Sequence, residues 1–461
     1  MRQLKDLIPT SLELKITGIC EDSREVKEGY IFVATKGYNV DHFDFISAAV
    51  EKGAVFLVVD REINFVFPHI VVDNINSFYI NLCKKYYEIN LDDFYLIGIT
   101  GTDGKTSTAT MVYQLLDNCA YIGTNGLTIH DRNYPLSNTT PCVAELYECF
   151  SKIKNENIFT VVMEVSSEAI LHGRIEGLLF DIIAFTNITE DHIMVHHSFH
   201  EYFKCKLQLL KYVKKDGFVI VNNDDRFLCK IKCTNMYTFG KDMSSNCVIK
   251  EINLSKNNSE VILENKGKVI TLNSPYYGEY NVYNFVEAFL IGLVSGKSLD
   301  SLLCKVLNLS PIRGRGEILD FGQDYTIVLD YAHTINGVKS ILEAYQNYDK
   351  VITVTGAAGG RDAYKRPIIG DMVIKMSDVS IFTMDDPRYE DVDKIIDEMA
   401  GTHEDYIRIK DRKKAINYAL SIAHKNSAVL IIGKGRDNYM AVEDKKIPYS
   451  DYDVIRHFFG V

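Results

Sequence analysis

Nine short apolar runs set the strongest constraint on this chain. They are residues 54–60 (AVFLVVD), 94–100 (FYLIGIT), 159–165 (FTVVMEV), 180–186 (FDIIAFT), 218–224 (FVIVNND), 325–331 (YTIVLDY), 350–356 (KVITVTG), 379–385 (VSIFTMD) and 428–434 (AVLIIGK). Runs of this length, rich in Val and Ile, fit strands buried on both faces, the environment of a parallel sheet. Longer amphipathic stretches separate many of them. That alternation predicts an α/β chain with largely parallel sheets. Several runs carry a polar residue at or next to their end: Asp60, Thr100, Glu164, Asp330 and Asp385. The C-terminal ends of such strands are where open α/β sheets carry their ligands.

The pattern breaks over residues 84–93 (KKYYEINLDD) and again over 296–314, which joins a helical region to a new strand series. With 461 residues, the chain therefore reads as three α/β domains, 1–90, 91–310 and 311–461. Residues 241–273 read as a β-rich insertion in the middle domain. The net charge of −11 argues against a nucleic-acid polymer as partner, so any anionic ligand must be held by local groups. The opening residues MRQLKDLIPTSLELK lack the apolar core and cleavage site of a signal peptide. No stretch of about 18 apolar residues appears. A cytoplasmic chain is expected, with no membrane span and, by default, a monomer. Ten cysteines without a CxxC pair read as reduced, mostly buried thiols, not as a disulfide framework or zinc site.

The most specific local motif is residues 95–107, YLIGITGTDGKTS, followed by the helical-looking TATMVYQLL. A strand runs into a Gly-containing loop and then a helix. Glycines let successive N–H groups face a phosphate, and the helix N-terminus adds favourable partial charge. Residues Gly101, Thr102, Asp103, Gly104, Lys105, Thr106 and Ser107 thus predict an ATP-phosphate loop. Lys105 would neutralise the β/γ-phosphates, and the Thr106 hydroxyl would ligate Mg²⁺. Ile99 occupies the first Gly position of the usual spacing, so Gly101 and Gly104 give a shorter GxxGKT form. The plainer alternative is a glycine turn with a surface lysine. The strand before and the helix after disfavour it.

A second group surrounds Glu164, which ends a strand-like run where an unpaired carboxylate would be costly. Capping of the next helix is the alternative. His192 follows another run, and taken alone such a histidine is more often structural. Lys206 falls on the inner face of an amphipathic segment 199–210, whereas Lys204 falls outward. An inward lysine must be paired, snorkel to solvent, or be chemically changed. Desolvation favours the neutral amine, which can take up CO₂ to give an anionic carbamate suited to Mg²⁺. From the residues alone, snorkelling is the plainer reading.

These motifs, with others in fixed order, resemble the Mur ligase family. GITGTDGKTS (98–107) is followed by TTP (139–141), MEVSSEAILHGR (163–174), TNITEDH (186–192) and EYFKCK (201–206). GEYNVYN (278–284), GRGE (314–317), LDYAHT (329–334), GGRDAYKRP (359–367), DDPR (385–388) and GKGRDNY (433–439) complete the series. The segment 22–41, DSREVKEGYIFVATKGYNVD, matches a UDP-binding start. The resemblance implies an N-terminal UDP-binding α/β domain, a central P-loop ATPase domain with a mostly parallel sheet, and a C-terminal Rossmann-like domain. It further implies an ATP-dependent ligase of peptidoglycan synthesis. That enzyme would join a free amino acid to UDP-MurNAc-L-Ala-D-Glu through an acyl phosphate. A non-catalytic muropeptide- or nucleotide-binding paralogue is the alternative.

Carried over residue by residue, the resemblance implies that Ser23, Thr139, Thr140, Ser166, His172 and Arg174 hold the UDP-MurNAc-dipeptide. Asn284, Arg315 and Asp330 resemble contacts on the adenosine side of ATP. Glu164 and His192 resemble Mg²⁺ ligands alongside Thr106, and Lys206 matches a carbamylated lysine. Lys105, Lys206 and His192 are the implied catalytic groups. Arg361, Asp386, Arg388, Gly433 and Asp437 would bind the incoming amino acid. Arg388 suits the distal carboxylate of meso-diaminopimelate. Asp386 stands where Asn is usual, and its added charge would favour lysine or ornithine. A diamino acid is expected, with diaminopimelate slightly ahead. The alternative for Asp386 and Arg388 is a mutually satisfied surface pair. Other departures are Glu168 for His, His172 for Gln, Arg313 and Ile335 for Pro, Gly316 for a bulky residue, and Arg436-Asp437 for His-Glu. Residues 41–44, DHFD, likewise replace Asp-Gly-His-Asp.

Overall fold

The computed structural model describes residues 1–36, 41–255 and 258–461, so residues 37–40 of the UDP-segment motif lie outside it. All nine apolar runs contain strands. The chain is a mixed α/β protein in which parallel strand pairs dominate. It divides into two compact units. One comprises Met1–Thr100, Leu116–Ala184 and Cys205–Val219; the other comprises Gly101–Leu115, Phe185–Lys204 and Ile220–Val461.

After a short antiparallel pair, Arg2–Gln3 with Lys15–Ile16, the first unit forms a four-stranded parallel sheet in the order Gly18–Cys20, Tyr30–Val33, Ala54–Val59, His69–Val71. Phe32, Ile46, Ala49, Leu57 and Val59 form its core. The helix Ile75–Tyr87 starts where the Asn74 side chain accepts from Ser77 N–H. It packs on the helix Val143–Asn155. A parallel core of Cys119–Gly123, Thr160–Glu164 and Tyr95–Thr100 follows, with Thr160–Glu164 in the middle. Both Thr100 and Glu164 therefore emerge, fully buried, at one end of this group.

The second unit contains the expected β-rich insertion as an antiparallel meander, Cys247–Ser255, Asn258–Asn265 and Lys268–Ser274. The helix Glu279–Val294 packs against Lys105–Leu115. The segment 296–314 is not simply a joining stretch, because Ser298 caps an eight-residue helix, Leu299–Val306, within it. A six-stranded sheet follows in the order Glu317–Leu319, Thr326–Asp330, Ser427–Ile432, Lys350–Thr355, Val379–Phe382, Ile407–Arg408. Its first pair is antiparallel and the rest are parallel. One face is covered by helices contributing Val338, Ile341, Val373 and Ile396, the other by helices contributing Ala415, Ile416, Val454 and Ile455. This is a doubly wound, Rossmann-like arrangement. Loops carrying residues 331–334, 356–364, 383–391 and 433–438 thus leave one edge of the sheet. The ten cysteines form no disulfide, and six are buried. Among the described residues, no helix is long and apolar enough to cross a membrane.

Candidate active site

The phosphate loop belongs to the second unit. Gly101 and Gly104 have φ of +154° and +83°. A Cβ on Gly101 would overlap the Thr186 hydroxyl, and one on Gly104 would overlap Asn284 Oδ1. Both glycines are therefore required by space as well as by backbone angle. Lys105 Nζ donates to the Gly101 and Thr102 carbonyls, each at 2.9 Å. The loop is braced from behind. Asp103 N–H donates to Asn187 Oδ1 at 3.0 Å, and Asp103 O accepts from the Thr186 hydroxyl at 2.6 Å. The Asp103 carboxylate accepts from the Thr334 hydroxyl at 2.9 Å. Burial, with Asp191 nearby, raises the pKa of Asp103.

Of the three residues expected on the adenosine side, two stand at the phosphate loop itself. Asn284 packs on Gly104, and Arg315 Nη2 donates to Thr106 Oγ1 at 3.2 Å. The Arg315 guanidinium also lies 4.5 Å over the Tyr331 ring. Asp330 accepts from the N–H groups of Gly316 and Ala332; burial raises its pKa and Arg315 opposes the rise. Behind the loop, Thr108 Oγ1 donates to Glu287 Oε2 at 3.3 Å. Glu287 is fully buried, which pushes its carboxyl up to about 8.

His192 sits at a left-handed position, φ +52°, and its ring lies 3.5 Å from the Asp191 carboxylate. Burial would raise Asp191, but His192 and Lys365 outweigh it and hold the group well below the usual carboxylate range. Lys365 Nζ bonds Asp191 at 2.6 Å, and Asp362 accepts from Ile193 and Met194 N–H. Asp362 and Lys365 were missed as neighbours of this loop. They lie about 170 residues away in sequence, within GGRDAYKRP.

In the first unit, Glu164 accepts from the Tyr121 hydroxyl at 2.5 Å and from Thr124 N–H at 2.9 Å. Lys206 is 1% exposed, so a lysine snorkelling to solvent is excluded. Its Nζ lies 3.4 Å from Thr100 Oγ1. Thr139, Thr140, Ser166 and Arg174 come together. Thr140 Oγ1 donates to Glu164 O at 2.8 Å and accepts from Ser166 N–H at 3.0 Å; Arg174 Nη1 donates to Thr140 O at 3.1 Å. Thr139 Oγ1 lies 3.1 Å from Thr124 Oγ1. Half-buried His172 has its pKa lowered by burial and by Arg174. Ser23 lies half-buried in a turn beside Asp22. Among the described residues, no three His, Cys, Asp or Glu side chains gather as a metal cage. The carboxylate of Glu164 and the hydroxyl of Thr106 nonetheless have the donor chemistry Mg²⁺ takes.

The residues expected to bind the amino acid lie in the second unit. Asp386 and Arg388 do not pair with each other, which sets aside the surface-pair alternative. Asp386 Oδ1 accepts from Lys434 Nζ at 2.7 Å and from Ala441 N–H at 2.9 Å. Its charge is thus already engaged. Arg388 sits at φ +52°, and its Nε is buried without a hydrogen-bond partner among the described residues. Lys434 is itself buried, but Asp385 and Asp386 keep its pKa raised. Burial pushes Asp437 up to about 6 against the pull of Lys434. Gly433, φ +112°, leaves no room for a Cβ, which would stand 2.6 Å from Asp385. Arg361 is exposed. Lys434 was missed because nothing in the local pattern of GKG tells a buried lysine from a surface one.

With this loop and fold in place, the comparisons with known proteins agree in chain order. Family models match residues 15–88 (Mur ligase family, catalytic domain), 99–292 (Mur ligase middle domain) and 314–435 (Mur ligase, glutamate ligase domain). The chain belongs to the Mur ligase family. It is 34% identical to the UDP-N-acetylmuramoyl-L-alanyl-D-glutamate–2,6-diaminopimelate ligase of Caldanaerobacter subterraneus, over 100% of this chain and 98% of that protein. It is 33% identical to the enzyme of that name from Bacillus cereus, over 96% and 94%. The UDP-N-acetylmuramoyl-L-alanyl-D-glutamate–L-lysine ligase of Staphylococcus haemolyticus is 32% identical over 97% and 94%. Among solved structures, a diaminopimelate ligase shares the fold with a TM-score of 0.66 at 23% identity, over 99% of this chain and 98% of that one. MurF from Acinetobacter baumannii does so with a TM-score of 0.67 at 16%, over 98% and 95%.

Proposed function

We propose that this chain is an ATP-dependent ligase that joins a diamino acid to UDP-MurNAc-L-Ala-D-Glu in the cytoplasmic stage of peptidoglycan synthesis. The observation that carries the reading is the phosphate loop, with Lys105, Asn284 and Arg315 at it, on a chain that matches ligases of that name end to end.

The reaction runs in two steps. A γ-carboxylate oxygen of the D-glutamate attacks the γ-phosphorus of ATP, and the bond to the bridging oxygen breaks to release ADP. The amine nitrogen of the incoming amino acid then attacks the acyl carbon, loses a proton, and phosphate leaves. Such chemistry is mostly positioning and charge neutralisation. Lys105 and Arg315 would serve the ATP phosphates. Asp330 would orient Arg315 through the Gly316 amide. Ser23, Thr139, Thr140, Ser166, His172 and Arg174 would hold the nucleotide-sugar dipeptide. Mg²⁺, when bound, would offset phosphate charge. By the resemblance, its proposed ligands are Thr106, Glu164, His192 and a Lys206 that carries a CO₂-derived carbamate.

For the amino acid, Arg361, Arg388, Gly433, Asp386 and Asp437 are the proposed contacts. Lys434 engages Asp386, while Arg388 Nε is buried with no hydrogen-bond partner among the described residues. A distal carboxylate would satisfy it, so meso-diaminopimelate is favoured over lysine or ornithine. The test is phosphate release from ATP, which should require both UDP-MurNAc-L-Ala-D-Glu and a diamino acid. Release without the amino acid would refute the ligase in favour of an NTPase. No release, with nucleotide still bound, would favour a non-catalytic binding protein.

A further inference from the structure

Arg436 has no part in the roles given so far, yet it is anchored on three sides. Its Nε donates to Glu317 Oε2 at 2.7 Å, and its Nη2 donates to Glu317 Oε1. Its guanidinium carbon lies 3.4 Å over the Tyr452 ring. The fork geometry of Arg is what a two-pronged contact with a carboxylate needs. Glu317 in turn accepts from Gly314 N–H at 2.7 Å, through the same Oε2 that Arg436 holds. Gly314 has φ +67°, and a Cβ there would stand 2.6 Å from the Arg436 backbone nitrogen. The two loops therefore touch backbone to backbone.

Arg315 lies between two fixed amides. The N–H before it is held by Glu317, and the N–H after it is held by Asp330. From this clamp its side chain reaches Thr106 in the phosphate loop. Resting on the function proposed above, we propose that Arg436 is a positioning residue for nucleotide binding: through Glu317 it fixes the 314–317 loop that aims Arg315 at the phosphate loop. Without Arg436, nearly buried Glu317 loses its countercharge and must recruit water or a proton, which loosens its hold on Gly314. The loop 433–437 also carries Lys434, whose partner is Asp386 on the amino-acid side. One short loop thus serves both substrates through different side chains, and Arg436 acts on the nucleotide only.

The test uses the full chain and three variants. Arg436→Ala should raise KM for ATP roughly tenfold, the effect of losing one charged hydrogen-bond contact. KM for the amino acid should stay within about twofold, which general damage to the domain would not allow. Arg436→Lys should recover part of the loss, since it keeps the charge but not the fork. Should Arg436→Ala fail to fold by circular dichroism, Glu317→Gln answers instead. It leaves one oxygen for Gly314 N–H and Arg436 to share and removes the charge, so the hold on Gly314 weakens and the same selective rise is expected. An unchanged KM for ATP, or equal rises for both substrates, overturns the proposal. Titration with a fluorescent ATP analogue separates the two readings. If the unmodified chain binds the analogue but turns nothing over, the ligase reading fails, and the ratio of affinities between it and Arg436→Ala still decides the role of Arg436. If it binds no analogue, both fail.

Discussion

Glu287 is a buried acid inside the apolar helix Glu279–Val294, and it makes the stability of this chain depend on pH in a predictable direction. Burial lifts its pKa from 4.5 to about 8, and the Thr108 hydroxyl only partly opposes the lift. The folded chain therefore keeps a proton on Glu287 where the unfolded chain has lost it. Stability is unaffected below pH 4.5, falls between about pH 4.5 and 8, and is level above. The slope is about 1.4 kcal/mol per pH unit, which accumulates to about 3 kcal/mol at pH 7. Glu287→Gln has nearly the same shape and never ionises. It does bury an amide donor where Glu287 Oε1 has no partner among the described residues, at a cost of about 1–3 kcal/mol. The two terms cross between about pH 5 and 7. The variant should melt below the parent at pH 5 and above it at pH 8.5, with a relative change of about 4 °C for a chain of this size. Differential scanning calorimetry, following the same transition in both proteins, reads this directly. Parallel melting profiles across that range would refute the reasoning.

Three further outcomes follow from the site. Lys206→Ala should lose phosphate release and regain part of it with added short carboxylates; full activity without them removes the carbamate. Arg388→Ala should raise KM for diaminopimelate roughly tenfold while leaving lysine nearly unaffected, and an equal effect on both would break the carboxylate assignment. Gly104→Ala places a Cβ against Asn284 at φ +83°. It should weaken fluorescent ATP-analogue binding by roughly tenfold with the circular dichroism spectrum unchanged, and unaltered binding would show that the loop tolerates the strain.

Nine strands were legible because each is a buried run of its own, readable within seven residues; shorter ones such as Gly18–Cys20 and His69–Val71 carry no such run. The phosphate loop was legible because its glycines, lysine and threonine are contiguous. Lys206 was placed inward correctly by helical spacing, but spacing alone did not separate a snorkelling lysine from a fully enclosed one. What stayed hidden were pairings across long sequence gaps: Lys434 with Asp386, Arg436 with Glu317, and Lys365 with Asp191. A charge read locally looks like an addition to the site. Asp386 was read in that way, and a partner 48 residues distant neutralises it. Glu287 did leave a local sign, a lone acid in the run NFVEAFLIGLV, where a polar residue on an otherwise apolar helix needs a reason.

The posture of Lys105 bears on how the nucleotide comes and goes. Its ammonium donates to the carbonyls of Gly101 and Thr102, within the loop that carries it. On the proposed function, a phosphate arriving there would exchange these bonds for its own instead of meeting a bare cation. Such an exchange nets about 0.5–1.5 kcal/mol per bond, far less than the attraction of the new contact taken alone. The same carbonyls are ready to take the ammonium back when ADP departs. On the proposed function, the loop would thus restrain its own affinity for nucleotide, which suits a protein that must empty its site on every cycle.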